Sequence, residues 1–188
     1  MADRLAAAVA ALRRGELVVY PTDTLLGLGA RATDARAVDR LLATKDRPAA
    51  MPISVAVSSY EELEPLVEWG PAARAEARVL LPGPVTLLVR ASRRARRTLA
   101  APLISPSGTL GVRIPDHPVA RSLAQGAGPI TATSANRHGE PAARTVPEAR
   151  RALGRSVSVY LPARPAPTGR PSTLIDLTGA TPRVVPRS

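Results

Sequence analysis

Short apolar runs alternate along this chain with amphipathic stretches, and proline and glycine punctuate the joins. An Ala- and Leu-rich stretch over 3–14 predicts a helix with Asp3 as its N-cap and Gly15 as its stop. The run 16–20 predicts a short buried strand that Pro21 ends, leaving Thr22, Asp23 and Thr24 at its tip. Strand tips of this kind gather ligands in open α/β sheets. Gly27 and Gly29 permit close backbone approach. Asp34 predicts the N-cap of a helix over 35–45 whose apolar face carries Val38, Leu41 and Leu42. Pro48 and Pro52 bracket a loop that leads into a strand over 53–57.

Ser58 and Ser59 precede Glu61 and Glu62 at capping-box spacing, which predicts a helix over 60–68. A helix over 71–80, a Pro82-Gly83-Pro84 turn and a strand over 85–90 follow. After an arginine cluster and a loop, strands are predicted over 109–114, 129–133, 157–161 and 172–177. Helices are predicted over 118–125 and 147–153, and the Pro- and Gly-rich stretch 162–171 is a linker or lid. This alternation without an internal repeat predicts an α/β fold, a mixed sheet flanked by helices, in one domain over 1–188.

Composition narrows the chemistry. The chain of 188 residues has no Cys, no Phe and two His, so thiolate and histidine metal sites are not expected, and no metal ligands are assigned. No run is long enough to span a membrane and no signal-peptide pattern opens the chain, which points to the cytoplasm. A net charge of +11 points to anionic partners such as nucleotides or RNA. The densest cluster, Arg93, Arg94, Arg96 and Arg97, has no aromatic neighbour on which a base would stack.

Lysine and asparagine each occur once. Lys45 is the sole lysine among 26 basic residues, and Asn136 is the sole asparagine. A chain that otherwise uses arginine keeps a compact ammonium where a planar fork will not serve, as against a phosphate or carboxylate. The plainer account is a lysine left at a helix end, where its charge suits the dipole. Ser134 and Asn136 lie two apart and share one side of an extended segment, although Ser, Asn and Gly139 would equally suit a turn.

Taken together, these stretches resemble the YrdC-like family of threonylcarbamoyl-AMP synthases. The resemblance runs from about residue 13 to residue 178. It rests on Tyr-Pro-Thr-Asp-Thr (20–24), Gly-Leu-Gly (27–29), Lys-Asp-Arg-Pro (45–48) and Pro-Gly-Pro-Val-Thr (82–86). Gly-Val-Arg-Ile-Pro-Asp-His-Pro (111–118), Thr-Ser-Ala-Asn (133–136) and Pro-Ser-Thr-Leu-Ile-Asp (171–176) complete it.

The resemblance implies a twisted mixed sheet with a basic concave cleft for ATP and L-threonine. The threonine amine would take up bicarbonate, and the resulting carbamate would attack the α-phosphorus of ATP. Lys45 and Arg47 would neutralise the triphosphate and leaving pyrophosphate, with Mg²⁺ bridging phosphate oxygens and no dedicated protein ligands. Thr24 would contact L-threonine, Arg113 its carboxylate, and Ser172 would close over that end. Thr109, Ser134 and Asn136 would hold the nucleotide. Plainer roles stand beside these: Thr24 as a turn cap, Arg113 paired with Asp116, and Ser172 as an ordinary strand start.

Relative to the family pattern, Leu26 stands where Tyr is common, Met51 where Asn is, Ala56 where His is, and Pro186 near an expected Arg. Expected partners include proteins that receive the threonylcarbamoyl group, together with tRNA or double-stranded RNA. Two rival readings are an RNA-binding module and a carbamoyl-transfer domain of the hydrogenase-maturation type.

Overall fold

A computed structural model describes residues 2–48 and 51–186. The chain opens with helix α1 (Ala2–Arg13), which Gly15 ends at φ +76°, and Asp3 lies inside the first turn rather than capping it. Strand β1 (Val18–Pro21) follows, then β2 (Leu26–Gly29), a strand that the glycine pair did not announce. Helix α2 (Ala35–Lys45) starts where Asp34 accepts the Ala37 N–H. It stops at Asp46, whose left-handed backbone (φ 52°, ψ 38°) sends its own N–H back to Ala43. Asp is among the few non-glycine residues that tolerate this region.

Beyond β3 (Ser54–Ala56) comes a departure from the expected helix over 60–68. Glu62 does reach back to the Ser58 N–H at 2.8 Å, but α3 (Tyr60–Leu63) lasts one turn. Pro65 brings in a 3₁₀ turn over Glu64–Leu66, and β-branched Val67 then joins a two-residue strand, β4 (Val67–Glu68). Helix α4 (Pro71–Leu80) and β5 (Val85–Ala91) match expectation. The arginine cluster is itself a short helix, α5 (Arg93–Thr98), capped by the Ser92 hydroxyl on Ala95 N. The remaining elements are β6 (Thr109–Arg113), α6 (Pro118–Ala127), β7 (Ile130–Ser134), α7 (Val146–Leu153), β8 (Val159–Tyr160), β9 (Thr173–Asp176) and the unforeseen β10 (Arg183–Val185).

The strands form one mixed sheet in the order β10-β9-β5-β6-β3-β7-β2-β1-β8, with β4 paired to the end of β5. Three neighbours are parallel (β1/β8, β3/β6 and β5/β9) and the others antiparallel.

Alternation along the strands divides the core in two. Val19, Leu28, Val55, Leu87, Val89, Leu110 and Val112 face one way and bury against α2 (Val38, Leu41) and α7 (Ala149, Leu153). Val18, Tyr20, Ala56 and Ile130 face the other way, under α1 and α6. Burying each large aliphatic chain is worth roughly 1.5–3 kcal/mol, so both layers resist separation.

Helices α1 and α6 cover only part of their face. Two positions further along the same strands, Ser54 and Ala132 line an open cleft, with Gly27 and Ser134 beside them.

Candidate active site

The cleft has a volume of about 850 Å³. Its floor is kept low by glycine. The Tyr20 ring lies flat over β2, so a Cβ at Gly27 would come within 2.8 Å of Tyr20 Cζ and one at Gly29 within 3.0 Å of Cε1. Tyr20 donates to the Thr131 carbonyl at 2.9 Å, and burial pushes its phenol well above the ordinary range.

One end of the cleft is the turn after β1. Thr22 Oγ1 accepts the N–H groups of Thr24 (3.1 Å) and Leu25 (3.2 Å) and donates to the Leu25 carbonyl (2.7 Å). Thr22, not Thr24, therefore caps this turn. Since its only hydrogen goes to Leu25, the 2.9 Å contact between the two hydroxyls has Thr24 as donor. Thr24 in turn accepts from Arg113 Nη1 at 3.1 Å. The other Arg113 terminus, Nη2, donates to Asp23 Oδ1 at 2.6 Å, so the arginine pairs with Asp23 rather than Asp116. Asp23 Oδ2 and Arg113 Nε are buried without a hydrogen-bond partner.

The stretch 162–171 lies against this turn. Thr168 N–H reaches the Asp23 carbonyl (3.3 Å) and Gly169 N–H the Thr24 carbonyl (2.8 Å). His117 accepts the Val119 N–H at Nδ1, which leaves its Nε2–H to donate to Pro165 O at 3.2 Å. Ser172 is buried beside the same end, 2.8 Å from the Thr86 hydroxyl.

Across the cleft, α2 delivers Lys45, which is 2% exposed. Its Nζ donates to Ser134 O and Asn136 O, both at 2.5 Å, and approaches Asn136 Oδ1 at 3.4 Å. Burial, and next the positive charge of Arg47, bring the ammonium down to about 8. The Lys45 carbonyl receives the His138 N–H (2.7 Å), and Arg137 pairs with Asp46. Asn136 Nδ2 donates to Arg137 O (2.9 Å) and Glu140 O (2.6 Å), so the asparagine both faces the cleft and builds the turn behind it. Arg47 faces the Met51 and Pro52 carbonyls at 3.1 and 3.3 Å, and burial lowers its guanidinium's affinity for protons.

Seven of the eight residues singled out from sequence line this cleft: Thr24, Lys45, Arg47, Arg113, Ser134, Asn136 and Ser172. Thr109 is not among the lining residues. It starts β6 in register with Arg90, at the other end of the strand from Arg113, and its hydroxyl meets Ser107 at 3.2 Å. Leu26, Met51 and Pro186 also line the cleft, whereas Ala56 is buried beneath α6. Sequence reasoning missed Asp23 as the partner of Arg113, although the residue sits inside the Thr-Asp-Thr motif. It also missed His138 and Arg144 on the cleft wall, where no repeat or pairing marked them.

Among the described lining residues, Lys45, Arg47, Arg113 and Arg144 face a single carboxylate, Glu140. This excess of cations gives the cleft wall a positive field suited to anions. The family model described as Telomere recombination (Sua5/YciO/YrdC) matches residues 10–188. The chain belongs to this family. A Chromohalobacter salexigens protein named Threonylcarbamoyl-AMP synthase is 42% identical over 179 residues, 94% of each chain. The structure of P. abyssi Sua5 complexed with L-threonine superposes with a TM-score of 0.85 at 31% identity, covering 96% of this chain and 52% of that one. The present chain thus spans about half the length of that Sua5. E. coli YciO gives a TM-score of 0.83 at 25% identity, covering 96% of this chain and 87% of that one.

Proposed function

We propose that this protein is an L-threonylcarbamoyl-AMP synthase. The observation that carries the reading is one cleft in which Arg113 and Thr24 face Lys45, Arg47 and Asn136. It lies in a chain 42% identical to a synthase over nearly its full length. In this reading the amine of L-threonine takes up bicarbonate as a carbamate, with loss of water. A carbamate oxygen attacks the α-phosphorus of ATP, the bond to the bridging oxygen breaks, and pyrophosphate leaves with the electron pair. No protein nucleophile is required. Catalysis consists of holding an unstable carbamate in line with the nucleotide and of balancing phosphate charge.

Arg113 offers the threonine carboxylate its charge and the Nη1 hydrogen that Thr24 does not take, Thr24 and Ser172 flank that subsite, and Ser134 and Asn136 hold the nucleotide. Lys45 contributes buried positive charge and also ties α2 to the 134–138 backbone. In this reading magnesium enters as part of the substrate, on the phosphates of ATP, which the cationic cleft wall faces. The product is a mixed anhydride, which requires a partner enzyme that transfers its acyl group onto tRNA. The RNA-binding alternative accounts for the net charge but gives no reason for a buried lysine and amide at one cleft.

The test is pyrophosphate release from Mg-ATP and bicarbonate with and without L-threonine, products read by mass. Threonine-dependent release together with a threonylcarbamoyl-AMP mass is expected. Release without threonine dependence, or no release from protein that binds ATP, overturns the reading.

A further inference from the structure

The cations of the cleft are not equally available. Lys45 spends its hydrogens on Ser134 O, Asn136 O and Asn136 Oδ1. Arg113 is held by Asp23 and Thr24, and Arg47 by two main-chain carbonyls. Arg144 differs. Its guanidinium makes no hydrogen bond or ion pair with any described residue, and it lines the same cleft.

The origin of that side chain is nonetheless fixed. The Arg144 N–H donates to Glu148 Oε2 at 2.8 Å, and Glu148 N–H donates back to Thr145 Oγ1 at 3.3 Å, so the start of α7 anchors the backbone on which the arginine stands. The result is a pinned stem with an uncommitted five-donor fork, a form suited to phosphate oxygens.

Position indicates which phosphates. Lys45, Arg113, Asn136 and Ser172 are each less than one-tenth exposed, whereas Arg144 is exposed at the rim. A leaving group must depart past the rim, so the terminal end of the nucleotide faces it. We infer that Arg144 binds the β- and γ-phosphates of ATP and the pyrophosphate they become, setting the preference for a triphosphate over a monophosphate. The inference rests on the nucleotide reading above.

Calorimetric binding of Mg-ATP, AMP and pyrophosphate to the wild-type protein and to Arg144→Ala is the test, with L-threonine affinity and thermal melting as controls. Arg144→Ala is expected to weaken ATP and pyrophosphate about tenfold, the scale of a hydrogen bond to a charged group, and to leave AMP, threonine and melting unchanged. Arg144→Lys, which keeps the charge without the fork, is expected to fall between the two. Unchanged ATP affinity, or equal losses for ATP and AMP, overturns the inference while leaving the synthase reading intact. A wild-type protein that binds no ATP defeats both.

Discussion

Asp23 and Arg113 stand ninety positions apart in sequence and meet at 2.6 Å, with side chains 11% and 7% exposed. A buried pair of this kind is dangerous to break, because the surviving charge is stranded. Asp23→Asn should cost about 3–5 kcal/mol in denaturant unfolding. With its fork no longer oriented, Arg113 should lose grip on threonine. The KM for threonine should rise more than the KM for ATP, and equal rises would refute this positioning role.

Lys45 is both charge and tether. Lys45→Ala should lower turnover by two orders of magnitude or so, on the scale of losing one preorganised charge contact. It should also accelerate hydrogen exchange at the His138 amide, because the 134–138 backbone loses its anchor. Lys45→Arg should fail as well, since a guanidinium does not fit between two carbonyls that a compact ammonium approaches at 2.5 Å. Full activity in that variant would defeat the account.

The same lysine gives ATP affinity a pH dependence. Its ammonium titrates at about 8 in the free protein. Anions bind the protonated form, so affinity is full below pH 8 and declines as pH rises through it. The arginines keep their charge over this range. Titration calorimetry from pH 7 to 9.5 should show the decline in the wild type and none in Lys45→Met.

Gly27 is held small by Tyr20. Gly27→Ala places a methyl 2.8 Å from Tyr20 Cζ and should destabilise by about 1–3 kcal/mol through overpacking. Tyr20→Leu in the same molecule should recover part of that loss. Additive losses in the double-mutant cycle would show that the two do not touch.

The fold was largely legible, because helix caps and strand runs are local signals. Asp34 and Gly15 marked real ends, and seven of eight proposed site residues line one cleft. What escaped was non-local or brief. Val67–Glu68 forms a strand only because Arg90 and Ala91 lie opposite, and Leu26–Gly29 is assigned no element from sequence because its bulk comes from the Tyr20 ring rather than from its own glycines. For the Arg113 partner the sequence offered only Asp116 nearby, since only the folded sheet brings the end of β6 to Asp23 in the turn after β1. Arg144 carried no signal at all among so many arginines.

The threonine hydroxyls beside Arg113 sort incoming groups by polarity. Arg113 gives to Thr24, Thr24 to Thr22, and Thr22 to the Leu25 carbonyl, so both hydroxyl hydrogens in the row are already committed. Thr24 retains only a lone pair to offer. An amine or alcohol can dock there and a carboxylate oxygen would be repelled, which on the proposed reading would leave the acid end of an amino acid to Arg113. On the proposed reading, three ordinary side chains would tell an amino acid's two ends apart before any chemistry begins.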